Sequence, residues 1–314
     1  MKIVFGLCFL FLTLSTNGQT ANRTIAITID DLPVVSTRKD LKNRQEITQK
    51  ILGHAKKANV PIIGFVNENK LYDVKGKLDP DQVNLLRNWI ANGFPLGNHT
   101  YSHVSINAVS LPDYEADLLK GEYVIKLLMA EVGQGVYYFR HPYLHTGTTL
   151  EKKAEFARFL ADHHYRIAPI SFDDADYIFS AAYDKTFDAG NKELMKKIGA
   201  AYVPYMEAKL AYWERQSTKL FGREISQTLL IHANFINSDY LGGLIAMFKK
   251  RGYRIVTLDD ALKDEAYKLP DTYLGSAGIS WLHRWALAKG KDTIEPDEPH
   301  VPDFVMKASG FDSE

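Results

Sequence analysis

Short runs of β-forming residues alternate with longer amphipathic stretches along most of this 314-residue chain. There are seven such runs, at residues 24–29, 61–66, 94–97, 136–140, 165–172, 228–232 and 253–258. A strand followed by a helix, repeated in this way, predicts an α/β fold in which helices cover a parallel sheet. We expect a distorted, seven-stranded (β/α) barrel with a helical insertion, because no glycine-rich dinucleotide fingerprint follows the first run.

Two parts of the chain depart from this rhythm of strands and helices. Residues 184–227 carry a long helical pattern rich in lysine, alanine, tyrosine and glutamate, which we interpret as an insertion over one rim of the barrel. The stretch ISWLHRWALAKGK has tryptophans at helical spacing, which usually mark a buried face. We therefore expect a barrel over residues 21–268 and a tail over residues 269–314, with an amphipathic helix that packs on the barrel.

The first twenty residues have the pattern of a secretory signal peptide. Lys2 precedes an apolar run from Ile3 to Leu14, and small and polar residues follow it. This run is shorter than the roughly 20 apolar residues of a membrane span, so we expect residues 1–20 to be removed and the protein to be periplasmic or secreted. The single cysteine, Cys8, lies in this run, so the expected mature chain has no thiol for catalysis or zinc ligation.

The charge balance narrows the classes of partner. The 38 basic and 38 acidic residues cancel, so no electrostatic footprint indicates a nucleic acid or a strongly anionic polymer. We therefore expect a neutral or mixed substrate, no nucleic acid partner, and no stable insertion in a membrane once the signal peptide is cleaved.

Reactive polar residues follow five of the predicted strands, in each case where the strand ends. They are Asp30 and Asp31, His99 and His103, Arg140, Asp173–Asp176, and His232. The carboxyl ends of barrel strands form the face on which such folds build active sites. Taken singly, each residue has an ordinary explanation as a turn, a helix cap, an ion pair or a core histidine. Their joint occurrence at one end of the barrel favours an active site.

The two histidines suggest a metal. His99 and His103 lie four residues apart in the sequence GNHTYSH, a spacing that would place both imidazoles on the same side of one helical turn. Two imidazoles and a carboxylate from another strand can bind one cation and leave positions open for water. This donor set, without cysteine, suits Zn²⁺, while Co²⁺, Ni²⁺ or Fe²⁺ could occupy the same ligands.

Five short motifs, in this order along the chain, resemble those of the polysaccharide deacetylases of carbohydrate esterase family four, the NodB-homology domain. The stretch TIDD is similar to the family's T-F-D-D, HTYSH to H-[ST]-x-x-H, RHPY to R-x-P-Y, DDADY to D-x-x-D-W, and LIH to L-x-H. They begin at residues 28, 99, 140, 173 and 230. The resemblance covers about residues 24–260, and it implies the (β/α) barrel expected above.

The resemblance implies a metal centre and a base. Asp31, His99 and His103 would hold one divalent metal, with Zn²⁺ favoured and Co²⁺ or Ni²⁺ as alternatives. Asp30 would accept the proton of the attacking water. Arg140 would keep Asp30 ionised by its opposite charge.

The resemblance also implies an acid and a substrate pocket. His232 would protonate the leaving amine, and Asp176 would keep that imidazole protonated. The backbone N–H of Tyr143 would stabilise the oxyanion. Tyr177 and Leu230 would line the pocket for the acetyl methyl group.

Three residues depart from the family's pattern. Leu32 stands where the family often has glycine, and Tyr101 and Tyr177 stand where tryptophan is frequent. These changes affect the shape of the pocket more than the metal chemistry. The resemblance implies a metal-dependent hydrolase that removes N-acetyl groups from an amino-sugar glycan, and chitin oligomers, peptidoglycan and exopolysaccharides all stay open as substrates.

Other functions remain as alternatives. The protein could be an O-acetyl esterase acting on xylan-like glycans, or a non-catalytic relative that only binds glycans. A non-haem iron oxygenase also uses two histidines and one carboxylate. That chemistry does not require Asp30, Arg140, Asp176 or His232, so it is disfavoured.

Overall fold

The computed structural model describes residues 23–291 and 297–314. The predicted signal peptide and Cys8 lie outside these residues. Within the described ranges, no helix has the length and apolar character needed to cross a membrane.

The described chain contains a seven-stranded sheet in which every pairing between strands is parallel. The strands are β1 (Thr24–Leu32), β2 (Ile62–Val66), β3 (Leu96–Asn98), β4 (Tyr138–Phe139), β5 (Arg166–Ile167), β6 (Gln227–His232) and β7 (Arg254–Ile255). Their order is β5-β4-β3-β2-β1-β6, and β7 pairs with the start of β1. Each of the seven predicted runs contributes one strand, although β3 begins two residues later than predicted and β5 is much shorter.

The sheet curls so that its two edges meet. Past the end of β5, Phe172 forms a parallel bridge with Leu229 of β6. The N–H groups of Ser171 and Phe172 both donate to the carbonyl of Thr228, and Leu230 donates to the carbonyl of Phe172. The predicted distorted α/β barrel is therefore confirmed.

Helices cover the outside of the curled sheet. They are α1 (Leu41–Ala58), α2 (Pro80–Ala91), α3 (Leu111–Lys120), α4 (Tyr123–Glu131), α5 (Leu150–Asp162), α6 (Asp176–Asp188), α7 (Lys192–Phe221), α8 (Phe235–Lys250), α9 (Leu258–Ala261), α10 (Trp281–Ala288) and α11 (Asp303–Ser309). Three short 3₁₀ turns lie at Glu68–Leu71, Pro142–Leu144 and Glu265–Lys268. Most helices begin at a side chain that accepts a backbone N–H, as Asp40 does for α1, which satisfies donors that a helix leaves free.

The residues of β1 explain how the barrel positions polar groups. Ile25, Ile27 and Ile29 belong to the large core between the sheet and its helices, whereas Ala26 belongs to a small cluster inside the barrel. Side chains alternate between the two faces of a strand, so residues 28 and 30 continue the inner face. Asp30 therefore ends the inner row of β1.

The predicted insertion consists of the end of α6 and the whole of α7. Helix α7 is well packed and buries large side chains such as Tyr202, Leu210 and Trp213. In the tail, α10 buries Trp281 and Trp285, and the N–H of Trp281 donates to the carbonyl of Ile170. The tail therefore adds a backbone contact next to the point where the two sheet edges meet.

Candidate active site

The register of the strands brings the reactive residues into neighbouring positions. Asp30 is the partner of His232 in the pairing of β1 with β6. Asn98 is the partner of Phe139 in the pairing of β3 with β4, so the residues that follow them, His99 and Arg140, also lie side by side. The carboxyl ends of four strands thus converge on one site.

Asp30 and Asp31 both reach this site because the end of β1 is irregular. In a regular strand, neighbouring side chains point to opposite faces. The pairing of β1 with β2 shifts register between Ile29 and Leu32, and Asp31 has a φ of 68°. An irregularity of this kind re-aims a side chain. Asp31 consequently joins Asp30 at the mouth of the barrel.

Asp31, His99 and His103 form a group whose ligand atoms all lie within 4.8 Å of one another. The Asp31 Oδ1 lies 3.6 Å from Nε2 of His103 and 3.9 Å from Nε2 of His99. The expected helical turn at residues 99–103 is wrong, because this segment is a loop in which Thr100 and His103 have φ values of 63° and 57°. The two rings meet, with centroids 4.8 Å apart, through loop geometry.

Hydrogen bonds and burial give these three side chains the orientation and the charge state that suit a cation. Nδ1 of His99 lies 2.8 Å from the carbonyl of Arg140, which leaves Nε2 facing the carboxylates, as in histidines that bind metals. Burial lowers the pKa of His99 well below its ordinary value and also lowers that of His103, so both rings are neutral. Burial raises the pKa of Asp31, but the positive charges of Lys70 and His232 outweigh this effect and lower it, so the carboxylate stays ionised.

The donor set fits a divalent metal. Oδ1 of Asp31 is buried and accepts no hydrogen bond from the described residues. Two neutral imidazoles and one carboxylate suit Zn²⁺ with open positions for water, and related transition metals accept the same donors. Asp31, His99 and His103 would therefore be the ligands.

Asp30 lies on the inner side of this group and is 1% exposed. Its Oδ2 lies 3.6 Å from Nη1 of Arg140 and 3.7 Å from Nε2 of His99, and its Oδ1 accepts no hydrogen bond from the described residues. Arg140 is itself buried, donates to Oγ1 of Thr28 at 2.8 Å, and lies over the ring of Phe65. Burial raises the pKa of Asp30 to about 6 against the opposing effect of Arg140.

His232 lies beside Asp30 on the neighbouring strand and is paired with Asp176. Nδ1 of His232 lies 2.7 Å from Oδ1 of Asp176, and the backbone N–H of His232 donates to Oδ2. The side chains of Asn234 and Asn237 also donate to Oδ2 at 2.9 and 2.6 Å. Burial lowers the pKa of His232, but Asp176 outweighs this and raises it to about 10. The imidazole is therefore a cation at neutral pH.

These groups open into a cavity of about 620 Å³. Eight of the ten predicted site residues line it, namely Asp30, Asp31, His99, His103, Tyr143, Tyr177, Leu230 and His232. Arg140 and Asp176, the other two, are buried behind this surface. The ring of Tyr143 is exposed and meets that of His103 at a centroid distance of 4.5 Å.

The sequence interpretation missed residues that hold the site in place. Nζ of Lys70 donates to the carbonyl of Asp31 at 2.9 Å and lies 3.4 Å from its Oδ1. The side chain of Asn67 donates to the carbonyl of His99 at 2.6 Å. Both come from the turn after β2, which carries no motif. The only sequence signal is the polar stretch NENK directly after an apolar strand.

Helix α7 also supports the site from behind. Nε1 of Trp213 donates to the carbonyl of Asp173, and the hydroxyl of Tyr205 accepts the N–H of Ala175. Lys209 of the same helix lines the cavity. The helical insertion therefore holds the loop that leads into Asp176.

Comparisons with known proteins identify a family that this chain resembles. Residues 17–160 match the family model described as polysaccharide deacetylase. The peptidoglycan-N-acetylglucosamine deacetylase of Bacillus cereus is 29% identical over 153 residues, which cover 49% of this chain and 46% of that protein. The chitin deacetylase of Colletotrichum lindemuthianum is 23% identical over 242 residues, which cover 76% of this chain and 79% of that protein. The chain thus spans less than half the length of the Bacillus cereus relative.

Solved structures share the fold. The structure of the chitin deacetylase from Colletotrichum lindemuthianum has a TM-score of 0.51 at 20% identity and covers 82% of this chain and 93% of that chain. A CE4 family pseudoenzyme from Bacillus anthracis also has a TM-score of 0.51, at 14% identity, over 77% of this chain and 66% of that chain. The family model matched by residues 17–160, the curated relatives and the shared fold together show that the chain is similar to the polysaccharide deacetylases.

Proposed function

We propose that this protein is a metal-dependent hydrolase that removes N-acetyl groups from an acetylated amino-sugar glycan. One observation carries the proposal: a group of potential metal ligands shares one cavity with a buried carboxylate, Asp30, and with an imidazole, His232, that is paired with Asp176. A base and an acid that reach the same electrophile are what amide hydrolysis needs. A peptidoglycan and a chitin deacetylase among the relatives support this substrate class.

The ligands and the base would divide the first half of the reaction. A divalent cation held by Asp31, His99 and His103 would supply Lewis-acid polarisation of the acetyl carbonyl and of a water molecule. Asp30 accepts a proton from the attacking water on its Oδ1, which has no other partner among the described residues. Arg140, 3.6 Å from Oδ2, holds the Asp30 carboxylate in its orientation.

His232 and the pocket residues would complete the reaction. His232 donates its proton to the leaving amine, while Asp176 fixes the ring through Nδ1. The backbone N–H of Tyr143 would donate to the oxyanion, in a turn where this residue has a φ of 57°. Tyr177 and Leu230 line the cavity and would contact the acetyl methyl group.

Acetate release tests the proposal. The purified chain is incubated with N-acetylglucosamine oligomers, peptidoglycan fragments and O-acetylated xylan, before and after chelation of metals. We expect acetate from an N-acetylated glycan, loss of activity on chelation, and recovery on addition of Zn²⁺ or Co²⁺. Release from O-acetylated xylan alone would instead support the esterase alternative, and binding without any release would support a non-catalytic relative.

Metal content provides a second readout. His99→Ala should lose bound metal after dialysis against a weak chelator, since it removes one of three ligands. His163→Ala, at the end of α5, is the matched control and should keep the wild-type content. Equal metal content in the two variants would contradict the assigned ligands.

We also infer that the protein acts outside the cytoplasm. This rests on the signal-like pattern of residues 1–20 and on relatives that act on peptidoglycan and chitin. Sequencing of the N-terminus of the protein recovered from the medium or periplasm tests it. Recovery of the chain only from the cytoplasm, with Met1 and Lys2 retained, would contradict export.

A further inference from the structure

Two cavities meet at the reactive groups. The cavity of about 620 Å³ described above shares Asp31, Tyr177 and His232 with a second one of about 380 Å³. Apart from these three residues and Asn234, the second cavity is lined by residues 35–39 and by side chains of α6. A glycan bound at the reactive groups therefore has two routes away from them.

The larger cavity is bounded by residues from the end of the chain. Glu298 and Glu314 both line it, together with Lys209 of α7. The segment that supplies them, residues 297–314, follows α10 and includes α11. It carries none of the five motifs, so nothing in the proposed chemistry accounts for its position over the site.

Several contacts hold this segment, which we call the C-terminal wall, in place. Glu298 pairs with the buried Lys209 at 2.5 Å. The N–H of Val301 donates to the carboxylate of Glu314, which ties the two ends of the wall together. Helix α11 packs on α6 and buries Val305. The wall is therefore a fixed part of the cavity surface.

An aromatic contact joins the wall to the predicted substrate pocket. The ring of Phe311 meets that of Tyr177 edge to face, with centroids 5.5 Å apart. Aromatic rings in this arrangement hold each other's orientation. Tyr177 has 40% of its surface exposed, so it is free to contact a ligand on its other side.

The size of the walled cavity limits what fits there. Cavities of about 300–1,000 Å³ hold one drug-sized ligand, which corresponds to one or two sugar units. The smaller cavity, along residues 35–39, is a direction in which a longer glycan can continue past the described residues.

We propose that the C-terminal wall closes one end of the sugar-binding cleft, so that the substrate is a short glycan or the terminal units of a longer one. The proposal rests on the deacetylase function proposed above. The reacting unit lies within one or two sugars of one end, and the rest of the chain leaves past residues 35–39. Phe311 is a specificity-determining residue because it braces Tyr177 from the wall.

Positional mapping in the unaltered protein tests the wall. The hexamer of N-acetylglucosamine, labelled at its reducing end, is treated briefly, and mass spectrometry locates the first acetyl group removed. We expect removal from one of the two units at one end, and kcat/KM that stops rising beyond about two or three units. Equal removal from internal and terminal units would overturn the proposal.

Variants identify the residues responsible. A chain ending at Lys291 lacks the wall and should deacetylate internal units. Phe311→Ala should do so to a smaller extent. In both variants we expect the internal products to rise at least threefold. Tyr123→Ala, an exposed aromatic on α4, is the matched control and should keep the terminal pattern. If the shortened chain fails to fold, the Phe311→Ala variant provides the test. Deacetylation at the same units as in the wild type would then overturn the role of Phe311.

Binding separates this inference from the proposed chemistry. Calorimetric titration with the dimer to the hexamer needs no turnover. Affinity that stops rising after about two or three units supports the wall even if no acetate is released, a result that would overturn only the deacetylase function. Affinity that keeps rising up to the hexamer, or no binding of any oligomer, would overturn the wall.

Discussion

Asp30 and Asp31 are adjacent in sequence but have opposite electrostatic surroundings. Asp30 is enclosed in the barrel, and burial raises its pKa to about 6. Asp31 lies near the positive charges of Lys70 and His232, and these lower its pKa despite the opposing effect of burial. The irregular end of β1 creates this difference, because it gives each carboxylate its own neighbours.

Asparagine at these two positions should therefore give different defects. We expect Asp30→Asn to keep the metal and to lose on the order of 10²-fold or more in kcat, because the proton acceptor is gone. Asp31→Asn should bind metal more weakly, and added metal should partly restore its activity. Metal content, thermal unfolding and acetate release are measured for both; near wild-type rates in Asp30→Asn would sink its role as the base.

Glu68 is a buried acid that the proposed reaction does not use. It is fully buried, its Oε1 accepts the N–H of Ile125 at 2.8 Å, and its Oε2 has no partner among the described residues. Burial raises the pKa of Glu68 from 4.5 to about 7. The folded chain therefore holds a proton there that the unfolded chain releases at lower pH.

This proton makes stability depend on pH. The pKa of Glu68 is higher in the folded chain than in the unfolded chain. Its contribution to the stability of the fold is therefore fully present below about pH 4.5 and is lost as pH rises through about 7. Glu68→Gln keeps the acceptor oxygen and should remove this loss, which is on the order of 3 kcal/mol at most. Denaturant unfolding from pH 4.5 to 8 measures it, with the exposed Glu265→Gln as control; equal slopes in wild type and Glu68→Gln would refute it.

The residues of the site were more predictable than their local geometry. The ten candidate residues, which the structure brings together at this face, could be named from motifs because each motif is a contiguous stretch. The helical turn predicted for His99–His103 was wrong, because the side chain of Asn98 accepts the N–H of Thr100 and that of Thr100 accepts the N–H of His103. Such side-chain contacts compete with helix formation, and spacing alone does not reveal them.

At the scale of elements, the turn after β2 supports the loop that carries His99 and His103. It meets that loop at two points, through Asn67 to His99 and Asn69 to Tyr101, and it meets the end of β1 through Lys70 to Asp31. The pairing of β2 between β1 and β3 places the turn there. Contacts of this kind depend on strand order, which the sequence of the turn does not encode, so these residues could not be predicted.

Asn67→Ala should weaken metal binding although it removes no ligand. The variant leaves the carbonyl of His99 without its donor, and loss of an outer partner typically costs about 10- to 100-fold in metal affinity. Titration with Co²⁺, followed by its visible absorption, measures this. Asn92→Ala, which removes an exposed side-chain bond to the carbonyl of Asn88, should leave the affinity unchanged. Equal affinities in the two variants would show that the turn does not position His99.

At the scale of the whole molecule, Arg284 of α10 joins the tail to the active face. It is 1% exposed, and it donates to Oδ2 of Asp271 at 2.9 Å, to Oγ1 of Thr146 at 2.7 Å, and to the carbonyl of Leu144. Leu144 belongs to the turn that carries Tyr143. Buried hydrogen bonds from Arg284 therefore connect the tail to the loop that would supply the oxyanion donor, and the ion pair with Asp271 lies within the tail.

Arg284→Met should lower the free energy of unfolding by about 3–5 kcal/mol, because it leaves Asp271 without one of its buried cations. Arg166→Met breaks an ion pair of similar length, 2.8 Å, but with 57% of each side chain exposed, and should cost about 1 kcal/mol or less. Chemical unfolding of both variants measures the difference. Similar losses would show that the Arg284–Asp271 pair contributes no more than a surface pair.

The barrel could be predicted from the alternation of strands and helices, whereas its closure could not. Strand β5 has only two residues, and the bridge between Phe172 and Leu229 completes the ring where a longer strand was expected. The position of residues 297–314 over the cavity was equally hidden, because it depends on packing of α11 against α6 across more than a hundred residues of chain.

The described chain has seven non-glycine residues with left-handed φ, and five of them surround the site: Asp31, Thr100, His103, Tyr143 and Leu144. Each costs roughly 1–2 kcal/mol of backbone strain, so the fold gives up stability to hold the site ready before a ligand arrives. Glycine at Thr100 would relieve such strain and also free the loop. Selection for thermal stability alone is therefore expected to favour substitutions at these five positions that reduce activity.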